Sequence, residues 1–367
     1  MAAASDLLVL YGSQTGCAED VAHQVCAAAV RRHLAPRCMP MNEYDVRLLP
    51  TERFIIFVAS TTGDGEVPDS MRDFWRFLLR KDLPAGSLTA LHHATFGLGD
   101  SSYPKYNFTA KRLHRRLEQL GSAALVPLGM GDDQDDLGID RALVPWLATL
   151  DASLEGHHPI PNGLTRIPVD ACLPARYEVS IDAGDEALPA EEVSPVYRQD
   201  NSSGASIVLD SPPSRQYPWH ASVLRHTPLT TPKSARHVRH LEICLRGSNM
   251  PYALGDVIAV APRNDETRCR QLLAALGIDA RMPLRVRRLA MHAPMISPVA
   301  ESTTALDLFV AHLDIFSVPR RSFFALLAHF ANDPMQRARL QEFGAPKGSR
   351  TPNFPANTYL LKRLDLR

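Results

Sequence analysis

Leu7-Leu8-Val9-Leu10-Tyr11-Gly12-Ser13-Gln14-Thr15-Gly16-Cys17-Ala18 decides how the first half of this 367-residue chain is read. Five consecutive apolar positions suit a strand buried on both faces. A glycine-bounded turn follows, then a segment with helical spacing from Cys17 to Leu34. A strand that turns sharply into a helix points backbone N–H groups and the helix dipole at one place, which suits phosphate. Ser13 and Thr15 add hydroxyls. The turn lacks the Gly-Lys-Ser/Thr ending of the nucleotide-triphosphate loop and the G-x-G-x-x-G spacing of a dinucleotide site. It holds no Lys or Arg, so neutral dipoles are its main means of holding an anion. By itself it reads equally as a helix start capped by Ser or Thr.

Outward from this turn, short apolar runs alternate with helical patterns up to residue 156. Strands are expected at Phe54–Ser60, Ala94–Gly97 and Ala124–Leu128, with a weaker one at Arg37–Met41. Helices are expected at Asp69–Leu79, Asn107–Leu120 and Asp140–Leu154. The alternation predicts an α/β fold, a doubly wound parallel sheet whose ligands bind beyond the carboxyl ends of the strands. Two more loops follow strands at that edge. One is Thr61-Thr62-Gly63-Asp64-Gly65-Glu66-Val67-Pro68-Asp69; the other is Leu98-Gly99-Asp100-Ser101-Ser102-Tyr103-Pro104-Lys105-Tyr106-Asn107. Glycines let a backbone pass close to a flat ligand, and an aromatic can stack on it. Each loop alone is also an ordinary surface turn. All three at one rim describe a slot with a phosphate socket and an aromatic wall.

These three loops resemble the FMN-binding loops of flavodoxin-like domains. Their wording is similar to the FMN domain of diflavin reductases, the cytochrome P450 reductase-like family, and within it to the branch serving cytosolic iron–sulfur protein assembly. Trp75-Arg76-Phe77 and Gly131-Asp132-Asp133-Gln134 fit the same branch. The resemblance implies that Ser13, Gln14, Thr15, Gly16, Cys17 and Ala18 hold the FMN phosphate. It implies that Ser60, Thr61, Thr62 and Gly63 line the isoalloxazine. Leu98, Gly99, Asp100, Ser101, Ser102, Tyr103, Pro104, Lys105, Tyr106 and Asn107 form the other wall, with Tyr103 stacked on the ring. Asp133 lies near the ring edge or ribityl chain. No side chain need act as acid or base, because the flavin carries the chemistry. Cys17 stands where these domains usually carry threonine, which removes one hydroxyl. Thr62 stands where P450 reductases carry a second stacking tyrosine, which leaves one face of the ring open.

The second half reads differently. Prolines punctuate residues 157–216, a linker with little structure of its own. Strand-like patterns return at His220–Arg225 and Val238–Arg246, and a Gly255-Asp256 turn leads into Val257–Ala261. Helices are expected at Glu266–Gly277, Thr304–His312 and Arg321–Phe330. Tyr252-Ala253-Leu254-Gly255-Asp256-Val257 resembles the start of the diflavin family's FAD-binding β-barrel. Leu313-Asp314-Ile315 with Val318-Pro319-Arg320-Arg321-Ser322-Phe323-Phe324 resembles its helical connecting insert. The expected division is an FMN domain over 1–156, the linker, a partial FAD-binding and connecting region over 217–343, and a tail over 344–367. The family's later FAD motif and its NADPH domain are not found, so the expectation is a truncated or alternative form. A partial barrel predicts open strand edges and uncovered apolar surface over 217–367.

Composition fits this division. The formal net charge is zero, from 40 basic and 40 acidic side chains. Residues 1–156 hold 15 basic and 20 acidic groups, and the rest 25 and 20. No basic-aromatic pattern suggests nucleic acid, and no apolar run is long enough for a membrane span or a signal core. Six scattered cysteines form neither a disulfide framework nor a metal spacing, which fits a reducing cytoplasm. Asp64, Glu66, Asp69, Asp73, Asp132, Asp133, Asp135, Asp136 and Asp140 flank the loops, an acidic rim suited to a basic partner. In the complete family protein the resemblance implies electrons passing from NADPH to FAD, to FMN, and to an iron–sulfur acceptor (anamorsin-like). The alternative for this chain is a non-catalytic binding module on the acceptor's docking surface; a third is a flavodoxin-like protein reduced by a separate reductase.

Overall fold

The computed structural model describes residues 7–181, 219, 221–254, 256, 258, 260–293 and 303–346. These residues fall into two compact units, one within 1–176, 290–294 and 318–367, the other within 177–289 and 295–317.

The first unit opens with β1 (Leu7–Gly12), α1 (Cys17–Arg31), β2 (Arg37–Pro40) and β3 (Phe54–Ser60). It continues with α2 (Arg72–Leu78), β4 (His92–Gly99), α3 (Phe108–Gln119), β5 (Ala123–Ala124), β6 (Gly129–Asp132) and α4 (Asp140–His157). The strands form one parallel sheet in the order β2-β1-β3-β4-β5, with β6 also on β4. This is the flavodoxin-like doubly wound order, and its direction reverses between β1 and β3, where such sheets bind ligands. The strand period of two sorts side chains to two faces. Leu7, Val9, Phe54, Ile56, Val58 and Phe96 pack under α1 and α4. Leu8, Leu10, Ile55 and Phe57 pack under α2 and α3.

Two expectations need correction. The strand expected at Ala124–Leu128 is mostly absent: only Ala124 lies in β5, and β6 starts after that span, at Gly129. Pro127 has no N–H to give a ladder, so β5 pairs only the start of β4 and β6 pairs its end, Phe96 to Gly99. The expected linker also contributes a strand. Tyr177–Ile181 is β7, and it pairs antiparallel with β10 of the second unit.

The second unit is antiparallel. Its remaining strands are β8 (Ser222–Pro228), β9 (Arg239–Cys244), β10 (Pro283–Arg288) and β11 (Thr303–Thr304). β8 and β9 form a two-stranded sheet, and β11-β10-β7 a second. The helix α5 (Glu266–Ala275) starts under the side-chain cap of Asp265. The short helix α6 (Ala305–Asp307) runs into a wider turn over Leu308–His312. Leu273, Leu284, Ala305 and Leu308 form a small core. Of the strand expected at Val257–Ala261, Val257 and Ala259 lie outside the described residues, and the described ones are in no strand. Two further helices, α7 (Arg321–Leu327) and α8 (Pro334–Gly344), belong to the first unit. The sequence pattern did not mark α8. Residues 347–367, most of the expected tail, lie outside the described residues.

Candidate functional site

Three loops leave the carboxyl ends of neighbouring strands β1, β3 and β4. The loop after β1 reaches α1 through Gly16, whose φ of 86° lies in the left-handed region that glycine adopts without penalty. Among the described residues, no side chain caps the helix that follows. Its first-turn N–H groups are therefore available to an acceptor from outside, the arrangement a phosphate needs. The Ser13 hydroxyl accepts from the N–H of Gly16 at 2.9 Å and so shapes the loop from within. Thr15 Oγ1 and Cys17 Sγ lie 3.7 Å apart on the exposed side. The Gln14 side chain is turned toward the second loop. Its amide spans to Asp69, donating to the carboxylate at 3.2 Å and accepting from the backbone N–H at 3.1 Å. The Ser70 hydroxyl completes the brace, accepting from Ser13 N–H at 2.9 Å and donating to Ser13 O at 3.0 Å.

The other loops are braced in the same manner. Ser60 donates to Gly12 O at 3.1 Å, and Thr61 N–H donates to Leu98 O at 2.9 Å, so all three strand ends are tied. Thr62 pairs with Glu66 across the small turn that carries Gly63. Lys105 Nζ donates to Asp64 O at 2.9 Å and lies 2.7 Å from its carboxylate, joining the second loop to the third. Asn107, at φ 51° and fully buried, donates to Gly131 O at 2.9 Å, while its own Oδ1 is buried without a partner among the described residues. Tyr106 donates to Met130 O at 3.2 Å.

Within the third loop Asp100 accepts from Ser102 N–H at 2.8 Å and from its hydroxyl at 2.5 Å, and from Gln134 at 2.9 Å. The Ser102 hydroxyl bond leads in holding the Asp100 carboxyl below its usual range. Asp132 accepts from Ser101 and Gln134 N–H groups at 2.9 and 3.1 Å. Burial pushes its carboxyl up, but the Ser101 and Gln134 bonds outweigh it and leave it lowered. Burial and the charge of Asp132 push the Tyr106 phenol up. Leu98 is buried, Ser101, Ser102, Pro104 and Lys105 are exposed, and Tyr103 projects from the loop with 61% of its surface accessible. That is a platform able to stack on a flat ring. Asp133 is exposed and joins the brace through its backbone, N–H to Gly99 O at 2.9 Å.

Residues missed by sequence reasoning are the braces Asp69, Ser70, Asp132 and Gln134. Asp69, Asp132 and Gln134 sit in or at the end of segments that carry the resemblance or the loops, Ser70 follows Asp69, and Asp-Ser just before a helix was the available signal. The acidic rim is partly neutralised. Asp64, Asp69, Asp73, Asp135 and Asp140 pair with Lys105, Arg72, Arg76, Arg141 and Arg321. Glu66, Asp132, Asp133 and Asp136 carry no ion pair among the described residues. Among those residues, no cluster is placed to hold a metal, and no helix is long and apolar enough to cross a membrane.

Comparison with known proteins bears on both units. Residues 9–146 match the flavodoxin family and residues 211–355 match the FAD binding domain family. The chain is 39% identical over 344 residues to NADPH-dependent diflavin oxidoreductase 1 of Xenopus laevis, covering 94% of this chain and 56% of that protein. It is 38% identical to the proteins of the same name from Mus musculus and Bos taurus, each time over 93% of this chain and 56% of the relative. The chain thus spans about half the length of the relatives it matches.

Proposed function

We propose, for a chain that is a homologue of the NADPH-dependent diflavin oxidoreductases with a flavodoxin domain and an FAD-binding domain, that its first unit binds FMN and serves as an electron outlet. The observation that carries this reading is the convergence of three cross-braced loops beyond β1, β3 and β4, at the point where the strand order reverses. The uncapped start of α1 fits a phosphate, and Tyr103 fits an isoalloxazine. Residues Ser13 to Ala18 would hold the phosphate, Ser60 to Gly63 would line the ring, and Leu98 to Asn107 with Asp133 would form the other wall. When bound, FMN supplies one-electron transfer.

The residues of this chain position and tune. The braces from Gln14 to Asp69 and from Lys105 to Asp64 set the spacing of the loops before any ligand arrives, which lowers the ordering cost of binding. The lowered Asp100 and Asp132 carboxyls keep negative charge beside the third loop at neutral pH, which disfavours adding further negative charge nearby. The described residues of the second unit do not assemble a comparable set of loops, so no residue is assigned to FAD or NADPH. The acceptor we infer is an iron–sulfur protein of cytosolic assembly, anamorsin-like, met at the acidic rim. All six cysteines are free thiols, which suits the cytoplasm.

Flavin released from the purified chain tests the reading. One FMN per chain is the expected result. No flavin, even after FMN is added, would overturn it in favour of a non-catalytic binding module. Bleaching by NADPH tests separately whether the chain takes up electrons itself. Tyr103→Ala is expected to weaken FMN binding roughly fivefold, the value of one aromatic stack of about 1 kcal/mol. Unchanged affinity in a fluorescence titration would remove Tyr103 from the site.

A further inference from the structure

The phosphate loop carries no Lys or Arg, and the first turn of α1 carries Glu19 and Asp20. Two carboxylates in that turn work against a phosphate dianion at the same helix end. A basic residue 304 positions away in sequence lies on the loop. Arg320 Nη1 donates to Gly16 O at 2.7 Å and stands 3.7 Å from the Asp20 carboxylate. Its Nη2 sits 2.5 Å from where a side-chain carbon on Gly16 would be. Its neighbours hold it there. Arg321 grips the nearly buried Asp140 at the start of α4 with both terminal nitrogens, one at 2.9 Å. Ser322 donates to Asp20 at 3.1 Å. Three consecutive residues at the start of α7 are thus anchored to the starts of α1 and α4.

We propose that Arg320 supplies the cation that the phosphate loop lacks and binds the phosphate of FMN, an inference that rests on the flavin reading above. A guanidinium carries five N–H donors in a fixed fork. One is used on Gly16 O, and the side chain remains 45% exposed, so its other donors are accessible to an anion at the loop. Arg320 also offsets Asp20, which would otherwise repel that anion. Arg321 and Ser322 act as positioning residues, because they fix the backbone from which Arg320 reaches.

The test uses the full chain stripped of flavin and titrated with FMN and with riboflavin, which has the ring but no phosphate. Arg320→Gln is expected to weaken FMN about tenfold, as loss of a charge-assisted contact does, and to leave riboflavin unchanged. Arg320→Lys keeps the charge without the fork and is expected to fall between. In the unaltered chain, rising salt is expected to weaken FMN more than riboflavin. The inference is overturned if Arg320→Gln leaves FMN affinity unchanged, or weakens both ligands alike. Equal salt dependence of the two ligands in the unaltered chain, which needs no variant to fold, overturns it as well. An unaltered chain that binds neither ligand overturns the flavin reading itself, and this inference with it.

Discussion

β1 and β8 are both short strands, yet every residue of the apolar β1 (Leu-Leu-Val-Leu-Tyr-Gly) is buried, while the mixed β8 (Ser-Val-Leu-Arg-His-Thr-Pro) is exposed almost throughout. β1 lies in a parallel sheet with α1 and α4 on one face and α2 and α3 on the other. Among the described residues β8 pairs only with β9, and Val223, Leu224, Leu241 and Ile243 are between 37% and 67% accessible. Even the apolar pair of β8, Val223 and Leu224, stays exposed, so an apolar side chain is not buried by its type alone. A strand is buried when helices cover both faces of its sheet, which the βαβ crossover enforces and a lone hairpin does not.

The sharpest way to break this comparison is truncation in each region. Phe57→Ala removes a fully buried ring that meets Phe74 at 5.9 Å, and is expected to cost about 3–5 kcal/mol. Leu241→Ala, in β9, is expected to change stability by about 0.5 kcal/mol or less. Hydrogen exchange resolved by peptide checks both: protection should collapse across β1, β3 and β4 in the first and hold in the second. Comparable losses would mean that β8 and β9 are covered after all.

A second prediction concerns pH. His93 of β4 is fully buried, bonded to Ser122 at 2.8 Å and to His114 at 3.2 Å. Burial, helped by the neighbouring His114, lowers it from 6.5 to about 4. Its neutral form is favoured in the fold, so its contribution is complete above about pH 6.5 and is lost as pH falls toward 4. The shift corresponds to about 3 kcal/mol. Urea unfolding of the first unit should therefore become easier across that window. A His93→Gln variant should flatten the slope, and an unchanged slope would sink the assignment. The smallest expected effect is on stability in the second unit: replacing Val223 and Leu241 by Ser should reduce binding of an apolar dye while leaving unfolding nearly unchanged. Dye binding equal to the parent chain would place the exposed apolar surface elsewhere.

The first unit was largely legible. β1, β3 and α4 begin where the apolar pattern predicts, because a parallel strand buried on both faces and a helix with one buried stripe leave strong periodic signals. The three loops were legible because glycine and short polar residues mark turns. The break at Pro127 was missed because the apolar run from Ala124 to Leu128 continues through it. β7 was missed because Tyr177-Glu178-Val179-Ser180-Ile181 alternates but lies among prolines, and its register against Arg288 to Leu284 is a long-range pairing. In the site, the sequence places Gln14 in the first loop, and the structure adds that its side-chain amide is turned to Asp69. The residue type suggested a polar contact but not its direction.

Alone, the sequence determined the alternation of strand and helix, the strand ends beyond which a ligand can lie, and the three loops that follow those ends. These are local properties, written within a few residues by sterics and hydrophobic period. Only the tertiary structure decided which groups brace the loops and where the cation for the first loop comes from. Arg320 and Gly16 are separated by 304 positions, and no local rule joins residues so distant. Their meeting depends on the anchoring of Arg321 by Asp140 and of Ser322 by Asp20. Such charge pairing acts through space, so it appears only once the chain is folded.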